Sequence, residues 1–138
     1  MKLLGNYRIK IGKQTFGGSN VLLWSGVWSG LQKGTNKVWV VKFFRDRPGF
    51  FVGKNSYLEY SDFDILPVLQ LPLVKKNIEV NSMRVVFEGY PGAEVDVDGV
   101  LVCNGEDVAI SAYKFKSRIS LEDEVKVTVL WRVELRGV

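Results

Sequence analysis

The chain has 138 residues, of which 46% are hydrophobic and 25% charged, with a formal net charge of +4; this is typical of a folded chain the size of one domain or two very small ones. It has no histidine and one cysteine, Cys103, which excludes a Ser-His-Asp triad, a His-ligated metal, an internal disulfide and a four-thiolate zinc site. No apolar run approaches the roughly 18 residues of a membrane-spanning helix, and polar residues follow Leu4 at once, so we expect no signal peptide and synthesis inside the cell.

The balance of valine against alanine predicts an all-β chain. Valine occurs 21 times and alanine three times; valine fits a pleated sheet, whereas alanine is the best helix former. No window shows a 3.6-residue apolar period, and 14 glycines punctuate the chain at short intervals. We expect two associated antiparallel β-subregions, or one continuous domain. Residues 1–76 would form a hairpin-rich sheet or small barrel, and residues 77–138 an immunoglobulin-like β-sandwich.

The first predicted elements are a strand at Tyr7–Ile11, where apolar and basic residues alternate, and a turn at Gly12–Gln14. The apolar stretch 20–31 contains the repeats Trp24-Ser25-Gly26 and Trp28-Ser29-Gly30. On a regular strand the two tryptophans share a face, either in the core or exposed as a carbohydrate platform or interface. A hairpin turn at Gly34-Thr35-Asn36 then leads into a strand over residues 37–44.

The segment Phe43–Phe51 has two Phe pairs around a charged tip, Arg45-Asp46-Arg47-Pro48-Gly49, and predicts a hairpin with a type II turn. A further turn at 53–55 precedes a strand at 57–60. The aromatic rings and cations of residues 43–57 can bind single-stranded nucleic acid by stacking and phosphate contacts or form a protein interface. Alternatively, the rings fill the core and the arginines lie on an exposed turn. The predicted binding interface comprises Lys37, Lys42, Phe44, Arg45, Arg47, Phe50, Phe51, Lys54 and Tyr57.

Residues 64–76 carry Pro67 and Pro72 in an apolar run. Proline cannot donate a hydrogen bond to a sheet, so we expect an edge strand or irregular structure that packs against the fold. The polar sequence Lys75-Lys76-Asn77 marks the expected boundary between the two halves.

The second half contains clearer strand signals. We expect a strand at Met83–Phe87, a turn at Tyr90–Gly92, a strand or bent pair over 108–119 and a capped helical turn at Ser120–Asp123. Val125–Leu135 alternates strictly and gives the most reliable strand. A hairpin of residues 93–98 and 100–103 is expected to close at Asp98-Gly99, with a second tight turn at Asn104-Gly105.

The run Pro91-Gly92-Ala93-Glu94-Val95-Asp96-Val97-Asp98-Gly99 resembles the opening hairpin of PEGA-type modules, which are small immunoglobulin-like sandwiches common in surface proteins. The acidic turn of residues 120–124 before a long strand is also similar to a turn of immunoglobulin-like domains. The resemblance covers about 60 residues. It implies a β-sandwich and assigns no catalytic residue.

Charge is divided unevenly along the chain. Residues 1–76 hold twelve Lys/Arg and four Asp/Glu, a net charge of +8, whereas residues 77–138 hold seven and eleven, a net charge of −4. A positive surface attracts a nucleic-acid backbone, an anionic membrane surface or an acidic protein, including a second copy of this chain. In the second half Glu94, Asp96 and Asp98 share one strand face, which predicts a solvated surface, an acidic docking face for a basic partner or a Ca²⁺ site.

These observations favour a non-enzymatic structural or adaptor module in a larger assembly, such as a virion, tail or surface filament, docking on a protein partner or itself. The alternative is a single-stranded nucleic-acid-binding protein. A carbohydrate-active enzyme using two of Glu59, Asp62 and Asp64 is a further alternative. We expect no cofactor and no metal, and we expect Cys103 to be a small buried apolar residue.

Overall fold

A computed structural model describes residues 2–21, 28–43, 58–59, 65–106 and 108–136. This part of the chain is all-β, as the composition predicts, with one short helix. The elements are β1 (Lys2–Ile11), β2 (Gln14–Val21), α1 (Trp28–Lys33), β3 (Asn36–Phe43), β4 (Leu58–Glu59), β5 (Ile65–Leu71), β6 (Leu73–Ile78), β7 (Ser82–Gly89), β8 (Val95–Asn104), β9 (Val108–Leu121) and β10 (Val127–Arg136).

The strands form two antiparallel sheets that pack face to face as a β-sandwich. The first sheet has the order β2-β1-β10-β7-β6 and the second the order β4-β9-β8-β3-β5. One cluster of buried side chains from both sheets fills the space between them. At its centre Trp131 of β10 and Phe87 of β7 are fully buried, because each lies on the inward phase of an alternating strand.

Strands from the two halves of the sequence are interleaved in both sheets. In the first sheet β1 pairs with β10 from Lys2 opposite Arg136 to Ile11 opposite Val127. In the second sheet β3 pairs with β8. The expected boundary at Lys75–Asn77 lies inside β6. Residues 1–76 and 77–138 therefore share both sheets and one core.

The two strands that flank Pro72 are edge strands, as the sequence predicts. Among the described residues, β5, which contains Pro67, pairs only with β3, and β6 pairs only with β7. Pro72 lies between them, so the chain passes from the edge of one sheet to the edge of the other on the same side of the sandwich. An edge position tolerates the missing N–H of proline because that side of the strand has no partner.

Helix α1 begins inside the apolar stretch 20–31, where the sequence shows no helical period and no helix is expected. It has six residues, of which only Leu31 is buried, so it is too short to produce a helical period in the sequence. Three tethers hold it to the first sheet: Trp28 Nε1 donates to the carbonyl of Val80 at 3.0 Å, Gln32 Nε2 to that of Glu79 at 2.9 Å, and Lys76 Nζ to that of Gly34 at 2.8 Å. The turn at residues 34–36 therefore follows a helix and does not close a hairpin. Trp24 lies outside the described residues.

Two local predictions for the second half are wrong. The Asp98-Gly99 pair lies within β8 at an irregularity in its pairing with β9, and does not close a hairpin. The residues on either side pair with the same neighbour, β9, so tertiary pairing overrides the turn preference of Asp-Gly. Residues 122–124 form a turn, with Val125 N donating to the carbonyl of Glu122 at 3.2 Å, and no helical turn is present among residues 120–124.

The second sheet also buries side chains outside the cluster that lies between the sheets. Val41, Leu101, Cys103 and Ala112 are at most 2% exposed but do not belong to that cluster. Cys103 is fully buried and forms no disulfide, which confirms the predicted burial of its side chain. The Asn104-Gly105 turn is also confirmed: it joins β8 to β9, and Asn104 Oδ1 accepts a hydrogen bond from Glu106 N at 2.8 Å.

Candidate functional site

The outward face of the first sheet carries most of its polar side chains. In β1 Tyr7, Ile9 and Ile11 point into the core, so the exposed residues Arg8 and Lys10 point outward. The same alternation places the exposed Arg132 of β10 and Arg84 of β7 on this face. Lys75 of β6 also lies on it, because it pairs with Val86 on the outward phase of β7. We call these five side chains the basic face: Arg8, Lys10, Lys75, Arg84 and Arg132.

The centre of the basic face contains two arginines directly opposite each other. Arg132 of β10 pairs with Arg84 of β7, and side chains at such positions have Cβ atoms about 4.5–5.5 Å apart. The same row continues through Asn6 to Ser19 on one side and ends at Asn77 on the other. Like charges at opposed positions repel each other. In this row two mutually repelling cations lie side by side, with neutral hydrogen-bonding groups at both ends.

Two acidic side chains also lie on this face, and each is already paired with a cation. Glu88 Oε1 lies 3.0 Å from Lys126 Nζ, and Glu134 Oε2 lies 3.6 Å from a guanidinium nitrogen of Arg136. The bond to Glu88 raises the pKa of the exposed Lys126. Among the residues that the structure describes, no ion pair involves the five cations of the basic face. Their charge is therefore open to an external anion.

A small notch lies at one end of the central row. It has a volume of about 70 Å³ and is lined by Leu4, Gly5, Asn6, Ser19, Arg132, Glu134 and Arg136. Asn6 lies between Ser19 and Arg132 in the row. The walls therefore combine an amide, a hydroxyl and guanidinium groups with one carboxylate.

The structure places only two residues of the predicted binding interface, and they lie on the second sheet. Lys37 and Lys42 belong to β3, whereas Phe44, Arg45, Arg47, Phe50, Phe51, Lys54 and Tyr57 lie outside the described residues. Lys42 lines a shallow depression of about 350 Å³ with Glu94, Val95 and Asp96. The described cations of residues 1–76 thus occupy both sheets and do not gather on one patch, because strand order separates β1 and β6 from β3.

The predicted acidic docking face is partly neutralised within the chain. Glu94 and Asp96 are exposed and line the same depression as Lys42. Asp98 accepts two hydrogen bonds from the Arg118 guanidinium, from Nε at 2.9 Å and from a terminal nitrogen at 3.0 Å. This bidentate pair raises the pKa of Arg118. These carboxylates and their two cationic neighbours form a mixed surface.

Two other depressions border the second sheet. One, of about 390 Å³, lies between α1 and the β8–β9 turn and has Leu31, Asn36 and Ile110 in its walls. The other, of about 280 Å³, lies at the seam between β2 and β9. At this seam the rings of Phe16 and Phe115 stack edge to face with centroids 5.1 Å apart, so their contact closes this side of the sandwich.

The described residues contain no group of three or more His, Cys, Asp or Glu side chains able to hold a metal ion. Of the candidate glycosidase carboxylates, Glu59 lies in β4, whereas Asp62 and Asp64 lie outside the described residues. In the same part of the chain, no helix has the length and apolar character needed to cross a membrane.

Sequence patterns identify the outward positions of the basic face but not their proximity. Arg8 and Lys10 occupy the polar phase of the first predicted strand, and Arg132 the polar phase of the last. Nothing in either pattern indicates that β1 lies beside β10 and β10 beside β7. The opposed arginine pair therefore becomes visible only in the register of the sheet.

Comparison with protein-family models, with curated proteins and with solved structures finds no match to this chain. Its function must therefore be inferred from its own residues.

Proposed function

We propose that this protein is a non-enzymatic binding module that contacts the phosphate backbone of a nucleic acid through the basic face. The observation that carries the proposal is the pairing of Arg84 with Arg132 at the centre of a sheet face where neither has an ion-pair partner among the described residues. Phosphate groups would remove the repulsion between the two guanidinium groups. They also accept hydrogen bonds from the neighbouring amide and hydroxyl side chains.

The composition of the basic face supports a nucleic acid over an acidic protein. Protein interfaces concentrate aromatic residues, methionine and arginine in a centre that is apolar and otherwise depleted of charge. Here the central row contains Arg84 and Arg132 with polar neighbours. In the adjacent row two half-buried residues, Leu130 and Val86, lie between the cations Arg8 and Lys75. Protein–nucleic acid interfaces are more polar and more positive, and most of their hydrogen bonds reach phosphate or sugar.

The same composition predicts binding with little sequence preference. The described side chains that point outward from the first sheet include no aromatic ring, so they provide no platform on which bases can stack. A sheet face with cations from four strands can follow a phosphate backbone. We therefore expect duplex and single-stranded probes to bind with comparable affinity, because both present phosphate groups.

The salt dependence of binding tests this proposal. Five phosphate contacts predict that log K for a duplex falls with log salt with a slope of about −4.5 between about 50 and about 200 mM salt. Fluorescence anisotropy with labelled oligonucleotides measures this slope. Arg84→Gln and Arg132→Gln should each reduce its magnitude by about one. Lys116→Gln removes the same charge from an exposed position on β9 of the second sheet and should leave it unchanged.

Two results would contradict the proposal. One is the absence of salt-dependent binding to both probes at low ionic strength. The other is an equal loss of slope in Lys116→Gln and in the two arginine variants, because binding would then reflect net charge and no particular face.

A second candidate function is a structural module in a larger protein assembly, and the two edge strands favour it. The exposed large hydrophobic residues include Leu66 of β5 and Leu73, Val74 and Ile78 of β6, with Val74 60% exposed. Edge strands can pair with a strand of another chain. Light scattering over a range of concentrations measures this directly. If the wild type is a monomer at every concentration, and Val74→Lys gives the same result, self-assembly is ruled out.

A further inference from the structure

We propose that the notch at the end of the central row is a subsite for one phosphate-type oxyanion. This inference rests on the proposed function and assigns one part of the basic face to a single phosphate group. The supporting observation is the convergence of different donor groups on a concave site: the Ser19 hydroxyl, the Asn6 amide and the Arg132 guanidinium occupy consecutive positions of one row.

The spacing of these donors suits a single anion. Neighbouring positions in the row have Cβ atoms about 4.5–5.5 Å apart, and the long side chain of Arg132 extends further than that distance. Arg136 lies four residues after Arg132 on β10, so it projects from the same sheet face with its Cα about 13 Å away, and it lines the same notch. Hydrogen bonds from guanidinium groups to phosphate oxygens are among the strong charge-assisted bonds.

The size of the notch suits a small anion. Its volume is about 70 Å³, several times the roughly 10–15 Å³ that one water molecule needs by the same kind of measure. This space admits a compact tetrahedral oxyanion. The subsite therefore recognises the phosphate group itself, as an internal phosphodiester, a terminal phosphate monoester or free phosphate.

Glu134 opposes anion binding at this subsite. It lies between Arg132 and Arg136 on β10, and its carboxylate contacts Arg136 at 3.6 Å. An entering phosphate competes with this carboxylate for the Arg136 guanidinium and is repelled by its charge. Glu134 therefore lowers the affinity, and its replacement by Gln should strengthen binding. A gain of affinity on removal of a carboxylate is not expected if the notch has only a structural role.

Titration with inorganic phosphate at constant ionic strength, followed by the NMR shifts of the backbone amides of Gly5, Asn6 and Ser19, measures the subsite directly. We expect Arg132→Gln to weaken phosphate binding about tenfold or more and Glu134→Gln to strengthen it about threefold or more. Arg8→Gln is the matched comparison, because it removes a cation from the same face outside the notch; it should weaken phosphate binding less than Arg132→Gln does.

Oligonucleotides with and without a 5′-phosphate distinguish the sources of the group. A terminal phosphate carries close to two negative charges near pH 7, compared with one for a phosphodiester. If the subsite takes chain ends, the phosphorylated oligonucleotide binds more tightly to the wild type, and Arg132→Gln abolishes the difference. If the subsite takes internal phosphates, both oligonucleotides bind equally, and Arg132→Gln weakens both more than Arg8→Gln does.

The outcomes separate this inference from the proposed function. If oligonucleotides bind with the expected salt slope but Arg132→Gln and Arg8→Gln weaken them equally, and Glu134→Gln has no effect, the subsite is refuted and the proposed function stands. If oligonucleotides do not bind but phosphate shifts the notch amides and Glu134→Gln strengthens that effect, the subsite stands for free phosphate and the proposed function fails. If neither ligand binds, both are overturned.

Discussion

A buried hydrogen bond between the two sheets gives a sharp test of how the sandwich is held together. Tyr7 of β1 donates its hydroxyl to Ser111 Oγ of β9 at 2.7 Å, and both residues are 1% exposed. The rest of the surrounding core is almost entirely apolar. The perturbations are therefore the single variants Tyr7→Phe and Ser111→Ala, which remove one hydroxyl each with little change in shape.

The two variants should differ in cost. Ser111 takes part in a further interaction, so Tyr7→Phe leaves it partly satisfied and removes one neutral hydrogen bond, a loss of about 0.5–1.5 kcal/mol. Ser111→Ala leaves the Tyr7 hydroxyl buried without its only acceptor among the described residues and carries the desolvation penalty, about 1–3 kcal/mol. The free energy of unfolding should thus fall more in Ser111→Ala than in Tyr7→Phe.

Urea denaturation followed by tryptophan fluorescence measures these differences, because Trp131 is fully buried in the same core. The double variant should cost little more than Tyr7→Phe alone, which gives a coupling energy of about 1 kcal/mol or more. A cost for Tyr7→Phe equal to or above that of Ser111→Ala, or a coupling energy near zero, would refute this account of the bridge.

The pH dependence of stability provides an independent check on the same residue. Burial raises the pKa of the Tyr7 hydroxyl far above its ordinary value, and the bond to Ser111 offsets only part of this effect. Above about pH 10 the phenol ionises in the unfolded chain but stays protonated in the folded one. Stability is therefore retained below that pH and lost as the pH rises above it, by up to about 1.4 kcal/mol per pH unit from this group. Tyr7→Phe should remove this group's contribution to the loss of stability at alkaline pH. Equal slopes of unfolding free energy against pH in the wild type and the variant would contradict this prediction.

Three further substitutions test other parts of the structure by chemical denaturation. Arg84→Gln should raise the unfolding free energy by about 0.5 kcal/mol at low salt, because it relieves the repulsion from Arg132, and the gain should vanish near 1 M salt; a loss at low salt would contradict the pairing. Gly17→Ala should cost about 1–3 kcal/mol, since its Cβ would lie 2.6 Å from a backbone carbonyl oxygen of β1, whereas Gly105→Ala, with its nearest contact at 3.4 Å, should be nearly neutral. Trp131→Phe should lower the unfolding free energy less than Trp131→Ala, for which we expect about 3–5 kcal/mol, because the indole N–H is buried without an acceptor in the described residues. Equal losses in the two variants would count against this explanation.

The strands that the sequence predicts best are those with one buried and one exposed face. In β10 the residues Val127, Val129, Trp131 and Val133 are buried, and the residues between them point outward. β1 follows the same rule in its Tyr7–Ile11 part. Strict alternation leaves only one orientation that buries the apolar residues, so the period alone identifies such a strand. The edge positions of β5 and β6 could also be predicted from the sequence. Pro67 cannot donate a hydrogen bond to a neighbouring strand, which disfavours an interior position in a sheet.

The wrong local predictions come from signals that several structures can satisfy. Asp98-Gly99 suits a tight turn, but it also suits an irregularity within a long strand. The sequence around Trp28 suits a strand as well as a six-residue helix, and the tethers from Trp28, Gln32 and Lys76 come from residues some 40 to 50 positions apart in the chain. Such contacts exist only after the sheets have formed, so local patterns cannot decide between the alternatives.

The amino-acid sequence by itself determined that the chain is all-β, that Cys103 is buried and that Arg8, Lys10 and Arg132 lie on the outward phase of their strands. These are local properties, fixed by side-chain shape and by alternation along a strand. Only the tertiary structure decided which strands are neighbours. The pairing of β1 with β10 and of β10 with β7 brings Asn6, Arg132 and Arg84 into one row. It assembles a basic surface from both halves of the sequence, because strand register, and not distance along the chain, sets which charges face the same partner.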